Sequence, residues 1–198
     1  MFKFKQIVLT LFAALAFSFV VANSSYSNSL PSPPIFIQEF LGQVDFVEGR
    51  LIQLAEAMPE DKYNWRPGEG VRSVVETYLH VAFGNYIWVT MSGGTVPEDV
   101  GFVPDPAKMN EWDTQTTDKK EVLKIMKRSF DDLRIMANTL SEADLEREVE
   151  FFGMKFSLRN FLITGLNHCH EHLGQSIAYA RMNGVVPPWS EKQEGEGG

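Results

Sequence analysis

Three of the four histidines in this 198-residue chain lie within five residues of one another: His168, His170 and His172. On a helix, side chains four residues apart share a face with Cβ atoms about 5–6 Å apart, whereas side chains two apart point in different directions. His168 and His172 therefore form a pair, and His170 turns away from it. Two imidazoles one turn apart can bind one metal ion. A third ligand has to come from elsewhere, and His80 is the only other histidine.

His80 lies in a separate upstream segment, on the face that the apolar spacing predicts to be inward. Buried imidazoles cost stability unless both nitrogens find partners, and a shared metal ion would remove that cost. Three histidine ligands leave a coordination position open, as in catalytic sites. The expected cofactor is a divalent metal, with zinc or nickel favoured and no signal that separates them. The alternative is three hydrogen-bonded core histidines that form no site.

Two further side chains are candidate catalytic residues, because helical spacing places each beside a proposed ligand. Glu76 lies one turn before His80 and could act as a base. Gln175 lies just under one turn after His172 and could orient a reactant or a water molecule. Glu76 has a second interpretation, which we favour: it stands three residues after Ser73 and would complete a capping box at a helix N-terminus.

The other polar residues of the histidine segment are weaker candidates. The segment does not match the HExxH motif of zinc proteases, which requires Glu where this chain has Cys169. We expect Cys169 to be a small buried hydrophobe, with metal ligand or nucleophile as the less favoured interpretation. His170 and Glu171 are expected at the rim or the surface.

Four long helices are predicted to position these residues. Apolar residues recur every three or four positions in four segments. Loops rich in Pro and Gly, or capping residues, mark where these segments begin and end. The predicted helices are Ile35–Met58, Val74–Met91, a helix that follows the cap Asp118 and extends to about Leu140, and Leu158–Asn183. The connection over residues 141–157 predicts a small hairpin around Gly153. The expected fold is all-α, a four-helix bundle over residues 35–189.

The two ends of the chain are expected to lie outside the bundle. Residues 1–22 have a basic start and a short apolar run, which is typical of a cleaved secretory signal peptide; the alternative is a retained membrane anchor, for which the run is short. Residues 23–34 predict a disordered linker, and residues 190–198 a disordered acidic tail. We therefore expect a periplasmic or secreted protein that has no membrane attachment after cleavage.

Charge and cysteine content narrow the possible partners. The formal net charge is −8, and loss of Lys3 and Lys5 with a signal peptide would make it more negative. The sequence has no basic patch, so we do not expect it to bind nucleic acid or anionic membrane surfaces. The single cysteine allows no intramolecular disulfide, so stability has to come from packing.

Two motifs of the chain resemble those of the DinB superfamily. The front motif is Trp65–Gly70 (WRPGEG), Ser73 and Val74–Ala82 (VVETYLHVA); the back motif is HxxxHLGQ over residues 168–175, followed by Tyr179, Arg181 and Gly184. The resemblance covers residues 35–188. It implies an up-up-down-down four-helix bundle, often a homodimer, in which His80, His168 and His172 bind a divalent metal. Leu173 departs from the family pattern, which often has Arg at this position.

The resemblance implies metal-dependent enzymes that act on small molecules. One expected function is a hydrolase, in which the metal activates water. Another is an S-transferase or isomerase that uses a small cellular thiol, although an exported protein would find such thiols scarce. The alternative class is a non-catalytic bundle that binds a metal or a small ligand. Neither the substrate nor the general base can be predicted from the sequence.

Overall fold

The computed structural model describes residues 32–190. It contains six helices and one hairpin: α1 Ile35–Ala57, α2 Val74–Met91, α3 Met109–Asp113, α4 Lys119–Ala137, α5 Glu142–Leu145, β1 Glu148–Phe151, β2 Met154–Ser157 and α6 Leu158–Met182. The predicted signal peptide (1–22), residues 23–31 of the predicted linker and all of the tail except Ser190 lie outside the described residues. Within residues 32–190, no helix combines the length and the apolar content needed to cross a membrane.

The four predicted helices are present as α1, α2, α4 and α6, and their ends follow the expected capping signals. Ser73 and Glu76 form a reciprocal capping box at the start of α2. The side chain of Asp118 caps α4, and that of Ser157 caps α6. Gly184, just beyond α6, has a φ of +77°, a conformation that glycine adopts without strain. Local sequence chemistry therefore determines where these helices begin and end.

The long helices form a closed ring around one core. α1 packs against α4 and α6, and α2 packs against the same two helices, so that α1 and α2 lie diagonally opposite each other. The largest side chains that are fully buried come from all four helices and from the two shorter links; they are Tyr63, Tyr78, Tyr86, Phe130, Phe161, Ile37, Leu51, Leu54, Met58, Leu79, Met126 and Leu145. This packing buries the inner faces that the apolar periodicity predicts.

Contacts along the helices show that the up-up-down-down order is wrong. The N-terminus of α4 meets the C-terminus of α1, where the Lys119 ammonium donates to the Met58 carbonyl at 2.7 Å, so these helices are antiparallel. α2 and α4 are parallel. Asn85 in the middle of α2 donates a hydrogen bond to Ser129 in the middle of α4, and Gly94, just beyond α2, contacts Met136 near the end of α4.

The remaining two pairs complete the topology. α1 and α6 are parallel, since the guanidinium of Arg159 at the start of α6 lies 4.9 Å from the ring of Phe36 at the start of α1. α2 and α6 are antiparallel, since His80 meets His172 whereas Trp88 meets Gly165. The chain therefore runs up, down, down and up.

The links explain this order. The link between α1 and α2 folds back at one end of the bundle: the Tyr63 hydroxyl donates to the Ala55 carbonyl at 2.8 Å, and the Tyr63 carbonyl accepts from the Val75 amide at 2.9 Å. α2 therefore starts where α1 ends. The long link over residues 92–118 returns along the bundle and makes α4 parallel to α2. The third link carries the predicted hairpin, in which Phe151 pairs with Met154.

Candidate metal centre

The antiparallel packing of α2 on α6 brings the three predicted ligands together. The ring centroid of His80 lies 5.1 Å from that of His168 and 4.9 Å from that of His172, and the last two are 4.5 Å apart. One potential ligand atom from each histidine lies within 4.8 Å of the others. All three side chains are partly buried. The histidines that the sequence placed on two separate segments therefore converge at one point.

Gly84 gives the space for this convergence. A Cβ atom at position 84 would lie 2.6 Å from Cε1 of His168, closer than real side chains approach. Gly165, one turn before His168 on α6, does the same for the ring of Trp88 at 2.7 Å. Two glycines thus let α2 and α6 approach closely, with one imidazole and one indole packed against the facing backbone.

The orientation of the rings fits a shared ion. Nε2 of His80 and Nε2 of His168 face each other at 3.3 Å. Two nitrogens bound to one tetrahedral ion at about 2.0–2.1 Å are themselves about 3.3–3.4 Å apart. Nδ1 of His172 lies 2.8 Å from Oε1 of Gln175, which assigns the proton to Nδ1 and leaves the Nε2 lone pair free. The donor set therefore suits a divalent ion.

Gln175 belongs to a chain of hydrogen bonds that orients His172. Its Oε1 accepts from Nδ1 of His172, its Nε2 donates to the hydroxyl of Tyr179 at 2.7 Å, and that hydroxyl donates to the Arg72 carbonyl at 3.1 Å. Every donor in this series has an acceptor. The amide of Gln175 is thus occupied by the protein on both sides.

Asp113 supports His80 and was not predicted from the sequence. Its Oδ2 lies 3.5 Å from Nδ1 of His80 and accepts from Nε of Arg72 at 2.8 Å. Metal-bound histidines commonly present their second nitrogen to a carboxylate in this way. The neighbouring Trp112 is buried, and its Nε1 donates to the Leu79 carbonyl at 2.9 Å, which fixes this part of the link beside His80.

Burial favours the neutral form of His168 and His172. Desolvation, followed by the nearby His172 and His80, lowers the pKa of His168 from 6.5 to about 3. Burial likewise lowers the pKa of His172, against the opposing hydrogen bond from Gln175. Nδ1 of His168 is buried without a hydrogen-bond partner. Neutral imidazole is the form that binds metal, so the folded protein already holds these groups in the form required.

The carboxylate of Glu76 is occupied by structural contacts. Oε2 accepts from the Ser73 amide at 2.7 Å, as the capping-box interpretation expects, and Oε1 accepts from Nη2 of Arg66 at the same distance. Glu76 and Gln175 both line an open polar cavity of about 510 Å³ that also borders Asp113. Glu76 therefore lies near the histidines, although both of its oxygens are engaged.

The neighbours of the paired histidines lie away from the centre. Cys169 is buried, its thiol donates to Oδ1 of Asn85 at 3.4 Å, and burial raises its pKa to about 12. The His170 ring lies against Phe46, and Glu171 is exposed. Leu173 is buried in the core, so this position makes no charged contact. These placements agree with the favoured interpretations of Cys169, His170 and Glu171.

A largely apolar cavity of about 650 Å³ opens beside the histidines. His80 and His168 form part of its wall, together with Gly84 and Trp88. Residues of the long link and of the hairpin, including Phe152, also line it. Two of the three candidate ligands therefore border a cavity that can hold a small organic molecule.

The fold and the histidine cluster together define a class: a four-helix bundle with a three-histidine candidate metal centre beside an apolar cavity. The sequence pattern of the DinB superfamily matches residues 43–176, more than half of the chain. The chain belongs to the DinB superfamily. No curated protein matches the sequence.

Solved structures share the fold at low sequence identity. A DinB-like protein from Bacillus cereus ATCC 10987 is 16% identical with a TM-score of 0.65, over 77% of this chain and 95% of that one. YfiT from Bacillus subtilis, described as a probable metal-dependent hydrolase with an unusual four-helix bundle topology, is 18% identical with a TM-score of 0.60, over 76% and 89%. A mycothiol-dependent maleylpyruvate isomerase is 14% identical with a TM-score of 0.57, over 70% and 59%.

Proposed function

We propose that this protein is an exported enzyme that depends on a divalent metal, zinc or nickel, and hydrolyses a small organic substrate. The observation that carries the proposal is the convergence of His80, His168 and His172, of which His80 and His168 line the apolar cavity. A partly buried cluster of three imidazoles is the donor set of catalytic sites with an open position. The likeness to YfiT supports the choice of hydrolysis.

The chain's own residues have distinct parts in this proposal. Bound at the three histidines, a divalent ion would supply an electrophile that acidifies water and polarises a carbonyl group. Gln175 accepts from Nδ1 of His172 and so orients it. Asp113 lies 3.5 Å from Nδ1 of His80, which has no other partner among the described residues, and we assign it the same positioning role once that nitrogen donates to it. Glu76 lines the polar cavity and could take a proton there, at the expense of its bonds to Ser73 and Arg66.

Transfer of a thiol is the second candidate, because a mycothiol-dependent isomerase shares the fold. Export disfavours it, since small cytoplasmic thiols are scarce outside the membrane. The proposed export itself rests on the pattern of residues 1–22. Mass spectrometry of the protein recovered from the periplasm or the medium should show a new N-terminus near Asn23. Light scattering tests the further expectation of a homodimer.

The decisive experiment compares the wild-type protein with His80→Ala and His170→Ala. The purified protein is loaded with zinc or nickel, its metal content is measured by native mass spectrometry, and turnover is followed on panels of esters, amides and thioethers. We expect one ion per chain and metal-dependent hydrolysis in the wild type and in His170→Ala, because His170 lies outside the cluster. His80→Ala should lose both.

Three results would contradict parts of the proposal. A wild-type protein without stoichiometric metal would remove the metal site altogether. Stoichiometric metal without turnover on any panel would favour the non-catalytic binding bundle. Turnover that requires an added low-molecular-weight thiol would favour the transferase.

A further inference from the structure

Aromatic side chains form a continuous wall from the histidines to the tip of the hairpin. The ring of Trp88 lies 6.0 Å from that of His168 and 5.3 Å from that of Phe151. The ring of Phe151 lies 4.3 Å from that of Phe152. Trp88 and both phenylalanines line the same cavity as His168. A ligand at the histidines would therefore extend along this wall towards Phe152.

Phe152 occupies a position that disfavours it in two ways. It forms, with Gly153, the two-residue loop of the hairpin, and its φ is +50° while that of Gly153 is +73°. Two-residue loops with both φ values positive prefer Asn-Gly, and a bulky side chain with positive φ is strained. The Phe152 side chain is also 75% exposed. Backbone strain and an exposed aromatic ring at the edge of a cavity together indicate a functional contact.

The charges around the cavity indicate what kind of molecule fits it. Glu150, exposed on the hairpin, adds a carboxylate at the wall and disfavours anionic ligands. The guanidinium of Arg72 also lines the cavity, but its charge is offset by the buried Asp113, to which its Nε donates at 2.8 Å. The rest of the wall away from the histidines consists of apolar side chains, among them Phe83, Ile87 and Met109.

We propose that Phe152 determines specificity by covering the substrate, and that the substrate has an uncharged apolar body, aromatic or alkyl, which lies between Phe152 and Trp88. Its polar reacting group then faces His80 and His168. This inference rests on the proposed function, because it places the substrate of the histidine site. It adds a substrate class and a contact residue on the hairpin, which lies outside both sequence motifs.

The test uses the fluorescent probe N-phenyl-1-naphthylamine, an uncharged aromatic molecule, with metal-free protein. Phe152→Asn should weaken probe binding about tenfold, because it removes the aromatic cover. The same change creates an Asn-Gly loop and should raise the Tm by about 2–4 °C, because it relieves backbone strain. The matched control is Met154→Asn, since Met154 is 56% exposed on the same hairpin but does not line the cavity.

Displacement of the probe tests the apolar body. Along the series 1-butanol, 1-hexanol and 1-octanol, each added methylene should strengthen displacement about fourfold. 1,8-Octanediol should be at least tenfold weaker than 1-octanol, because it would bury a second hydroxyl group among apolar side chains.

The outcomes separate this inference from the proposed function. Wild-type protein that does not bind the probe, equal binding by Phe152→Asn and wild type, or an equal loss in Met154→Asn would each overturn it. Equal displacement by 1-octanol and 1,8-octanediol would also overturn it. Probe binding that follows the expected pattern supports it even if the metal-loaded protein hydrolyses nothing, in which case only the proposed reaction fails.

Discussion

At the scale of single residues, the Asp113 carboxylate accepts from Arg72 and lies 3.5 Å from Nδ1 of His80. Replacing it by Asn keeps the shape but removes the charge that favours a proton on Nδ1 of His80. We expect Asp113→Asn to weaken metal binding about 10–100-fold, the usual effect of removing such a supporting group. Competition with a chromophoric chelator measures this change.

The control for Asp113 is an aspartate in an exposed ion pair. Asp99 pairs with Arg128 at the surface and lines neither the polar nor the apolar cavity near the histidines. Asp99→Asn should leave metal affinity unchanged within twofold, because exposed pairs contribute little. Equal losses in both variants would show that Asp113 acts through general stability and not through His80.

Gly84 permits a second residue-scale test. In Gly84→Ala the new methyl group would overlap the His168 ring, so the ring has to move. We expect metal affinity to fall at least tenfold, although Ala is the better helix former by about 1 kcal/mol. Gly42→Ala in α1 is the matched control: nothing lies within 4 Å of its Cβ position, and it should raise stability without changing metal affinity. Unchanged metal affinity in Gly84→Ala would refute the importance of this close approach.

Residue spacing predicted the three candidate metal ligands but not Asp113, which lies beside one of them. His168 and His172 were predicted to share a face because residues four apart on a helix always do. His80 was predicted as the third ligand because it is the only histidine outside that segment. Asp113 lies in a five-residue helix within an irregular link, where no periodicity predicts which way a side chain points. The capping chemistry of Ser73 correctly favoured the structural interpretation of Glu76 over a free base.

At the scale of elements, α3 is the part of the long link that reaches the candidate site. Trp112 fixes it by donating from Nε1 to the Leu79 carbonyl, next to His80. Trp112→Phe should keep most of the packing and lose this bond, at a cost of about 1 kcal/mol in the free energy of unfolding. Because Asp113 is the next residue, metal affinity should also fall severalfold. Chemical denaturation and chelator competition measure the two effects, and lower stability with unchanged metal affinity would mean that α3 does not position Asp113.

Helix positions were predictable from the sequence, whereas helix directions were not. Apolar spacing and caps are local signals, so α1, α2, α4 and α6 start within two residues of their predicted starts. Direction depends on how each link travels, and the pattern of residues 58–73 does not reveal that Tyr63 folds the link onto the end of α1. The up-up-down-down order implied by the family resemblance therefore failed where tertiary contacts determine the path.

At the scale of the whole molecule, the neutral histidines make the metal-free protein sensitive to acid. The folded-state pKa of His168 is lowered to about 3, whereas the unfolded chain binds the proton near pH 6.5. Between these values the unfolded state binds more protons, so stability falls as the pH falls, by up to about 1.4 kcal/mol per pH unit for this group. The Tm of metal-free protein should drop below about pH 6.5. His168→Leu should flatten this profile and His170→Ala should not; an unchanged slope in His168→Leu would assign the acid sensitivity elsewhere.

Metal binding should also be visible as stability of the entire bundle, because the ligands come from α2 and α6 and separate on unfolding. An ion at 100 times its Kd stabilises the folded state by about 2.7 kcal/mol, which corresponds to a rise in Tm of about 5–10 °C for a domain of this size. We expect this rise at pH 7.5 in the wild type and in His170→Ala, and its absence in His80→Ala. Calorimetry with and without zinc measures it. An equal rise in His80→Ala would mean that the stabilising ion binds at a place other than the three converging imidazoles, because removal of one of three ligands cannot leave the binding free energy unchanged.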